Sequence, residues 1–130
     1  MTNKANDTII FFVLAFLGLV IWLSISVLTG HAEAWDAAAF STVGIPALMG
    51  VAAIAGAIRP GRPLLWGFGT IVFQPIALFV VSKPGPLIGV GIFFFVFFAL
   101  LCALSAYVGG ILRRLVSKIL NRRHKGESPV

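Results

Sequence analysis

Four long runs of this 130-residue chain contain no charged residue, and each is about 20 residues or longer, the length of one helical passage through a bilayer. They extend from Ile9 to Leu28, Ala37 to Ile58, Leu64 to Ser82 and Leu87 to Leu112. With 59% hydrophobic and 11% charged residues, the chain is too short to bury so much apolar surface in a core of its own, which excludes a soluble domain. Disorder is excluded by the same numbers, since it requires low hydrophobicity and high charge. Barrel strands alternate apolar and polar residues over about ten positions, whereas these runs are continuous and about twice as long. The expected fold is all-α: a polytopic membrane protein with an up-down four-transmembrane-helix bundle over residues 1–112. A basic tail, residues 113–130, follows it.

Short breaks separate the runs. Thr29 to Asp36 holds His31, Glu33 and Asp36. Arg59-Pro60-Gly61-Arg62-Pro63 and Lys83-Pro84-Gly85-Pro86 are built from residues that stop helices. Connections this short force consecutive spans to pack antiparallel. Lys4, Arg59, Arg62 and the tail residues Arg113, Arg114, Lys118, Arg122, Arg123 and Lys125 then fall on one side, nine basic residues against Lys83 alone on the other. By the positive-inside rule both termini face the cytoplasm, and the membrane is expected to be a bacterial inner membrane. Ala32-Glu33-Ala34 suggests a signal-peptide cleavage site, but the run before it is longer than a signal h-region, so the first segment is expected to stay as a full span.

The tail carries a second pattern. Ile111, Leu112, Leu115, Val116, Ile119 and Leu120 recur every three to four residues and share one helical face, with Arg113, Arg114, Lys118, Arg122 and Arg123 off it. Such a helix lies in the headgroup plane, its cations contacting anionic phospholipid headgroups. The same residues would also serve as a topology signal, or dock an acidic cytosolic partner. Gly126 to Val130 reads as a frayed end. The basic excess does not point to nucleic acid, because it is distributed around membrane spans.

Inside the runs the one strongly polar side chain is Gln74, next to Pro75. Counted at about 1.5 Å per residue, Gln74 and Pro46 lie roughly 15 and 18 Å from the cytoplasmic edge, near the midplane. Each proline frees a backbone carbonyl that lipid cannot satisfy. Gln74, with the hydroxyls of Ser41 and Thr42, is expected either to satisfy those carbonyls or to line a small polar midplane pocket with Pro46 and Pro75. No Asp, Glu, Lys, Arg or His lies within a run, which argues against proton- or ion-coupled transport. Small multidrug resistance transporters place a Glu in their first span, and this chain has none between Ile9 and Leu28. Dual-topology fluoride channels carry an intramembrane Asn and a Thr-Thr-Phe-Ser segment, against Phe40-Ser41-Thr42 here.

Small residues mark close helix approach: Gly44, Ala47, Gly50, Ala52, Ala53, Gly56 and Ala57 in the second run, and Ala99, Ala103, Ala106 and Gly110 in the fourth. They pack this bundle internally or join it to a second copy or a larger complex. The Phe93, Phe94, Phe95, Phe97 and Phe98 cluster covers too many positions for one face, so part of it meets lipid or a partner. Trp35, Trp66 and Tyr107 are placed as interface anchors. Cys102 is alone in an apolar run and reads as a small hydrophobe. His31, Glu33 and Asp36 could ligate a metal, but Asp36 reads more simply as a helix N-cap, with Glu33 or Asp36 pairing Lys83. No catalytic, metal or cofactor site is expected, and no enzyme. The expected role is a non-catalytic accessory or interaction subunit in the bilayer. The alternative is a small oligomeric transporter or channel for a neutral or lipid-like solute.

Overall fold

The computed structural model describes residues 2–30, 38–81, 85–86 and 88–126. Every regular element among them is helical: α1 (Thr2–Thr29), a π-helical turn (Phe40–Gly44) leading into α2 (Ile45–Ile58), α3 (Pro63–Ile71), α4 (Phe73–Val81) and α5 (Ile88–Gly126). Four stretches are long and apolar enough to cross a membrane: Lys4–Thr29, Phe40–Ile58, Pro63–Val80 (α3 with α4) and Ile88–Gly126. That is the make-up of a multi-pass membrane protein. His31, Glu33, Trp35, Asp36 and Lys83, with the expectations placed on them, lie outside the described residues.

The prolines within the apolar stretches, Pro46 and Pro75, leave their mark on the helices. Pro46 has no N–H to offer the Thr42 carbonyl, and the turn before it loosens: the Ile45 N–H reaches back to the Phe40 carbonyl, a π-helical bond. Pro75 likewise leaves the Ile71 carbonyl without its usual donor, and α3 gives way to α4 at Val72. Val72 keeps helical angles and bonds Phe68 at 2.9 Å, so the two segments continue one span.

Glycine and alanine set how the spans meet. A Cβ on Gly18 would overlap the Thr70 carbonyl oxygen, so α1 and α3 cross backbone to backbone there. Gly56 meets the Ala106 carbonyl and Gly109 the Ala53 carbonyl in the same way, joining α2 to α5. Gly67 packs on Ala99 and Ala103, joining α3 to α5. In lipid the gain from such contacts is van der Waals packing, which grows steeply as backbones approach. The small stripe of the fourth run is therefore an internal seam, with Ala99, Ala103, Ala106 and Gly110 all buried. Gly50, also small, is exposed with open space around it.

The interior holds two large rings, Trp22 and Trp66, together with Leu48, Phe40 and Phe95. Trp66 is thus fully enclosed and is not an interface anchor, whereas Tyr107 is exposed. Phe95 points inward while Phe93, Phe94 and Phe97 stand on the outer surface, as the crowding of that cluster required. Cys102 is a free, buried thiol in the same core.

Helix α5 departs from the expected division at residue 112. It continues without a break to Gly126, for 39 residues or about 58 Å. No glycine or proline stands between Ile111 and Lys125 to interrupt it, and the segment is rich in Leu, Arg and Lys. A hydrocarbon core is only about 30 Å thick, so α5 is longer than one passage through a bilayer requires. Of the expected frayed end only Gly126 is described, and it closes the helix.

Candidate functional site: a basic cleft at one end of the helices

The polar side chains gather where the start of α1, the turn between α2 and α3, and the emerging part of α5 come together. Gly61 in that turn has φ +114°, a conformation that favours glycine and lets the chain reverse within a few residues. Pro63 then starts α3. The Trp66 indole Nε1 donates to the Arg59 carbonyl at 2.9 Å, tying the turn to the buried interior.

Asp7 holds the centre of this end. Its residue is only 6% exposed although it carries a carboxylate. Arg59 donates from Nε to Asp7 Oδ1 at 2.9 Å and brings Nη2 within 2.7 Å of the same oxygen. Arg62 Nη1 lies 3.4 Å from Oδ2. One carboxylate therefore serves two guanidinium groups from the α2–α3 turn, and joins that turn to the first span. The two side-by-side contacts from Arg59 have the charge-assisted character that makes such pairs strong. Nothing in the hydropathy pattern singles out Asp7, because it precedes the first uncharged run. The signal available was an isolated acid just before an apolar span, in a chain whose Arg-Pro-Gly-Arg turn returns to the same side.

Arg113, expected at lipid headgroups, is exposed and also reaches across to α2. Its guanidinium donates to the carbonyls of Ala57, at 2.7 Å, and Ile58. It thereby caps the C-terminal end of α2, where free carbonyls and the negative end of the helix dipole favour a cation. Arg114 and Lys118 stand one turn apart on α5 and make no hydrogen bond or ion pair among the described residues. Between α5 and the turn lies an open cleft of about 710 Å³. Five cations line it, Arg59, Arg62, Arg113, Arg114 and Lys118, against the single acid Asp7. Ile58, Ile111 and Leu115 give it an apolar wall. Arg122 and Arg123 are exposed farther along α5 and are not among the lining residues.

The midplane residues are arranged differently from the pocket reading. Gln74 is buried, and its Nε2 donates to the Gly18 carbonyl of α1 at 3.4 Å. Gly18 allows this because α1 already touches Thr70, one helical turn before Gln74. Ser41 and Thr42 are exposed, and both hydroxyls donate to the Ala38 carbonyl, at 2.9 and 3.1 Å. Pro46 is exposed as well. Among the described residues no hydrogen bond joins Gln74 to Ser41 or Thr42. Gln74 Oε1 and Trp22 Nε1 are both buried without a partner in the structure, and Trp22 sits one turn beyond Gly18 on α1.

One long bond and one unsatisfied oxygen make Gln74 a weak link between spans. Replacing Gln74 by Leu is expected to change stability by less than about 1 kcal/mol, since the loss of the bond is offset by removal of a buried, unpaired acceptor. Thermal unfolding of the purified protein in detergent measures this directly. A drop of several kcal/mol would mean that the amide holds the spans together.

The chain matches no protein-family model, no curated protein and no solved structure, so function is argued from its own residues.

Proposed function

We propose that this protein is a non-catalytic, multi-pass component of the inner (cytoplasmic) membrane, with both termini in the cytoplasm. In this reading its spans form an up-down four-helix bundle that acts as an accessory or interaction subunit. The observation that carries the reading is the free end of α5. From Ile111 to Gly126 every residue is exposed, including Leu112, Leu115, Val116, Ile119 and Leu120, so no other described element covers that apolar face. The small residues are mostly engaged in packing the spans on one another, which leaves this amphipathic projection as the surface offered to something else. Its cations suit an anionic leaflet, and its apolar stripe suits either the headgroup boundary or a partner helix. The orientation follows from the nine-to-one distribution of basic residues.

Affinity purification of the full-length protein in mild detergent tests the role. A stoichiometric membrane partner is expected, and Leu115→Glu with Ile119→Glu is expected to release it while the protein stays folded. A self-associating species without a partner would overturn the subunit reading.

One observation favours the second reading, a small oligomeric transporter or channel for a neutral or lipid-like solute. Gln74 Oε1 and Trp22 Nε1 are an acceptor and a donor buried in the helices without a protein partner, groups that a small polar solute could satisfy. Gln74→Leu combined with Pro46→Ala separates the two readings: loss of solute flux in a stable protein belongs to a transporter, and unchanged flux belongs to the subunit.

A further inference from the structure

We infer that the cleft between α5 and the α2–α3 turn is a binding site for one anionic phospholipid, with a preference for a headgroup that carries two phosphates. The inference rests on the proposed placement of this end at the cytoplasmic membrane surface. Three features of the cleft lead to it.

The first is charge. Of the five cations that line the cleft, Arg59 and Arg62 share one carboxylate, and Arg113 is held by backbone carbonyls. Arg114 and Lys118 have no anionic partner among the described residues. Like charges brought this close repel one another, and an anion between them removes the repulsion. The excess is larger than one phosphate diester neutralises.

The second is the chemistry of the donors. Arg114 presents a planar fork that suits phosphate oxygens, Lys118 a mobile point charge one turn away, and Ser117 between them supplies a hydroxyl to the same cleft. Because Arg59 is fixed by Asp7 and Arg113 by α2, two of the cations are already in place before a ligand arrives. Ordering costs then fall mainly on Arg114 and Lys118.

The third is position, and it selects a lipid over a soluble phosphate. The apolar wall of the cleft, Ile58, Ile111 and Leu115, is itself partly exposed. On the same helices Ile54 stands one turn before Ile58, and Leu104 and Val108 stand two turns and one turn before Ile111; these residues are exposed as well. A ligand with its phosphates on Arg114 and Lys118 can lay acyl chains along these residues. Basic pockets at the cytoplasmic ends of transmembrane helices take phospholipid headgroups in this way.

The test compares two variants of equal charge. Full-length protein is reconstituted in nanodiscs of zwitterionic lipid containing a trace of a diphosphatidylglycerol. The lipid retained per protein is then counted by native mass spectrometry. Arg114→Gln with Lys118→Gln is expected to lower affinity for the two-phosphate lipid roughly thirtyfold, the effect of two charge contacts. Arg122→Gln with Arg123→Gln, outside the cleft, is expected to leave it within about twofold. Neither pair makes a hydrogen bond that holds the fold, and circular dichroism verifies helix content. Equal weakening by both pairs, or retention unchanged by the first, would overturn the site. Displacement of the lipid by free pyrophosphate at matching concentration would overturn its lipid character. Because purified protein is used without a partner, failure here is distinct from failure to find a partner subunit.

Discussion

Replacing Gly56 by leucine is expected to prevent the spans from assembling. A side chain at this position collides with the Ala106 carbonyl and its Cα, which are backbone atoms of α5 and cannot rotate away. Either α2 and α5 separate, losing the packing that runs from Gly56 to Gly109, or one helix shifts along the other and misaligns the Gly67 contact with Ala99 and Ala103. Overpacking in a tight core usually costs about 1–3 kcal/mol, and a backbone-to-backbone contact lies at or above the upper end. Gly50→Ala is the matched control on the same helix. Gly50 is exposed with open space around it, so alanine there is expected to be neutral or slightly stabilising, by up to about 1 kcal/mol. Resistance to unfolding in denaturing detergent, followed by circular dichroism, separates the two. Equal behaviour of the variants would show that α2 and α5 do not meet at Gly56.

Asp7→Ala is expected to have the second-largest effect. The substitution removes the one carboxylate shared by Arg59 and Arg62, and leaves a basic end with no acid among the residues that line its cleft. Removing one partner of a buried ion pair costs about 3–5 kcal/mol, but the Arg59 side chain is 30% exposed, and water screens part of the loss. A loss of about 2–3 kcal/mol is therefore expected, read as a lower melting temperature in detergent. Arg59→Gln added to Asp7→Ala is expected to cost less than the sum of the single changes, because the second removes a cation already stranded. Strict additivity would mean that Asp7 acts independently of Arg59. The α1 end is the sensitive reporter, since its tie to the α2–α3 turn is this ion pair.

Positions of low consequence were harder to anticipate than positions of high consequence. Gln74 stands out in the sequence as the strongest polar feature of the runs, and it is buried between spans, yet its one hydrogen bond is long and its acceptor is unsatisfied. Ser41 and Thr42 look like pocket residues from their depth, but a hydroxyl on a helix readily bonds a carbonyl three or four residues back, and both do so at Ala38. Arg113 belongs to the basic tail by composition, and to α2 by geometry. It reaches the last carbonyls of that helix because Gly109 and Gly110, one turn earlier, bring α5 up against α2.

Sequence alone determined the number of long apolar helical stretches, because lipid permits only long uncharged helices, and the Arg59–Pro63 break between two of them, because its prolines and glycine stop a helix. It also determined the small-residue stripe of α5 and the outward placement of part of its phenylalanine cluster, both of which follow from helical periodicity. Tertiary structure decided which distant groups meet. Asp7 and Arg59 are 52 residues apart, and Arg113 and Ala57 are 56 apart. No local pattern encodes such pairs, since each depends on how close two backbones come at glycines elsewhere in the helices. The basic cleft is of the same kind: its cations come from a turn and from a helix that ran on past the expected end of its span. Charge count predicts that they share a side, and only the packing of α5 against α2 brings them around one cavity.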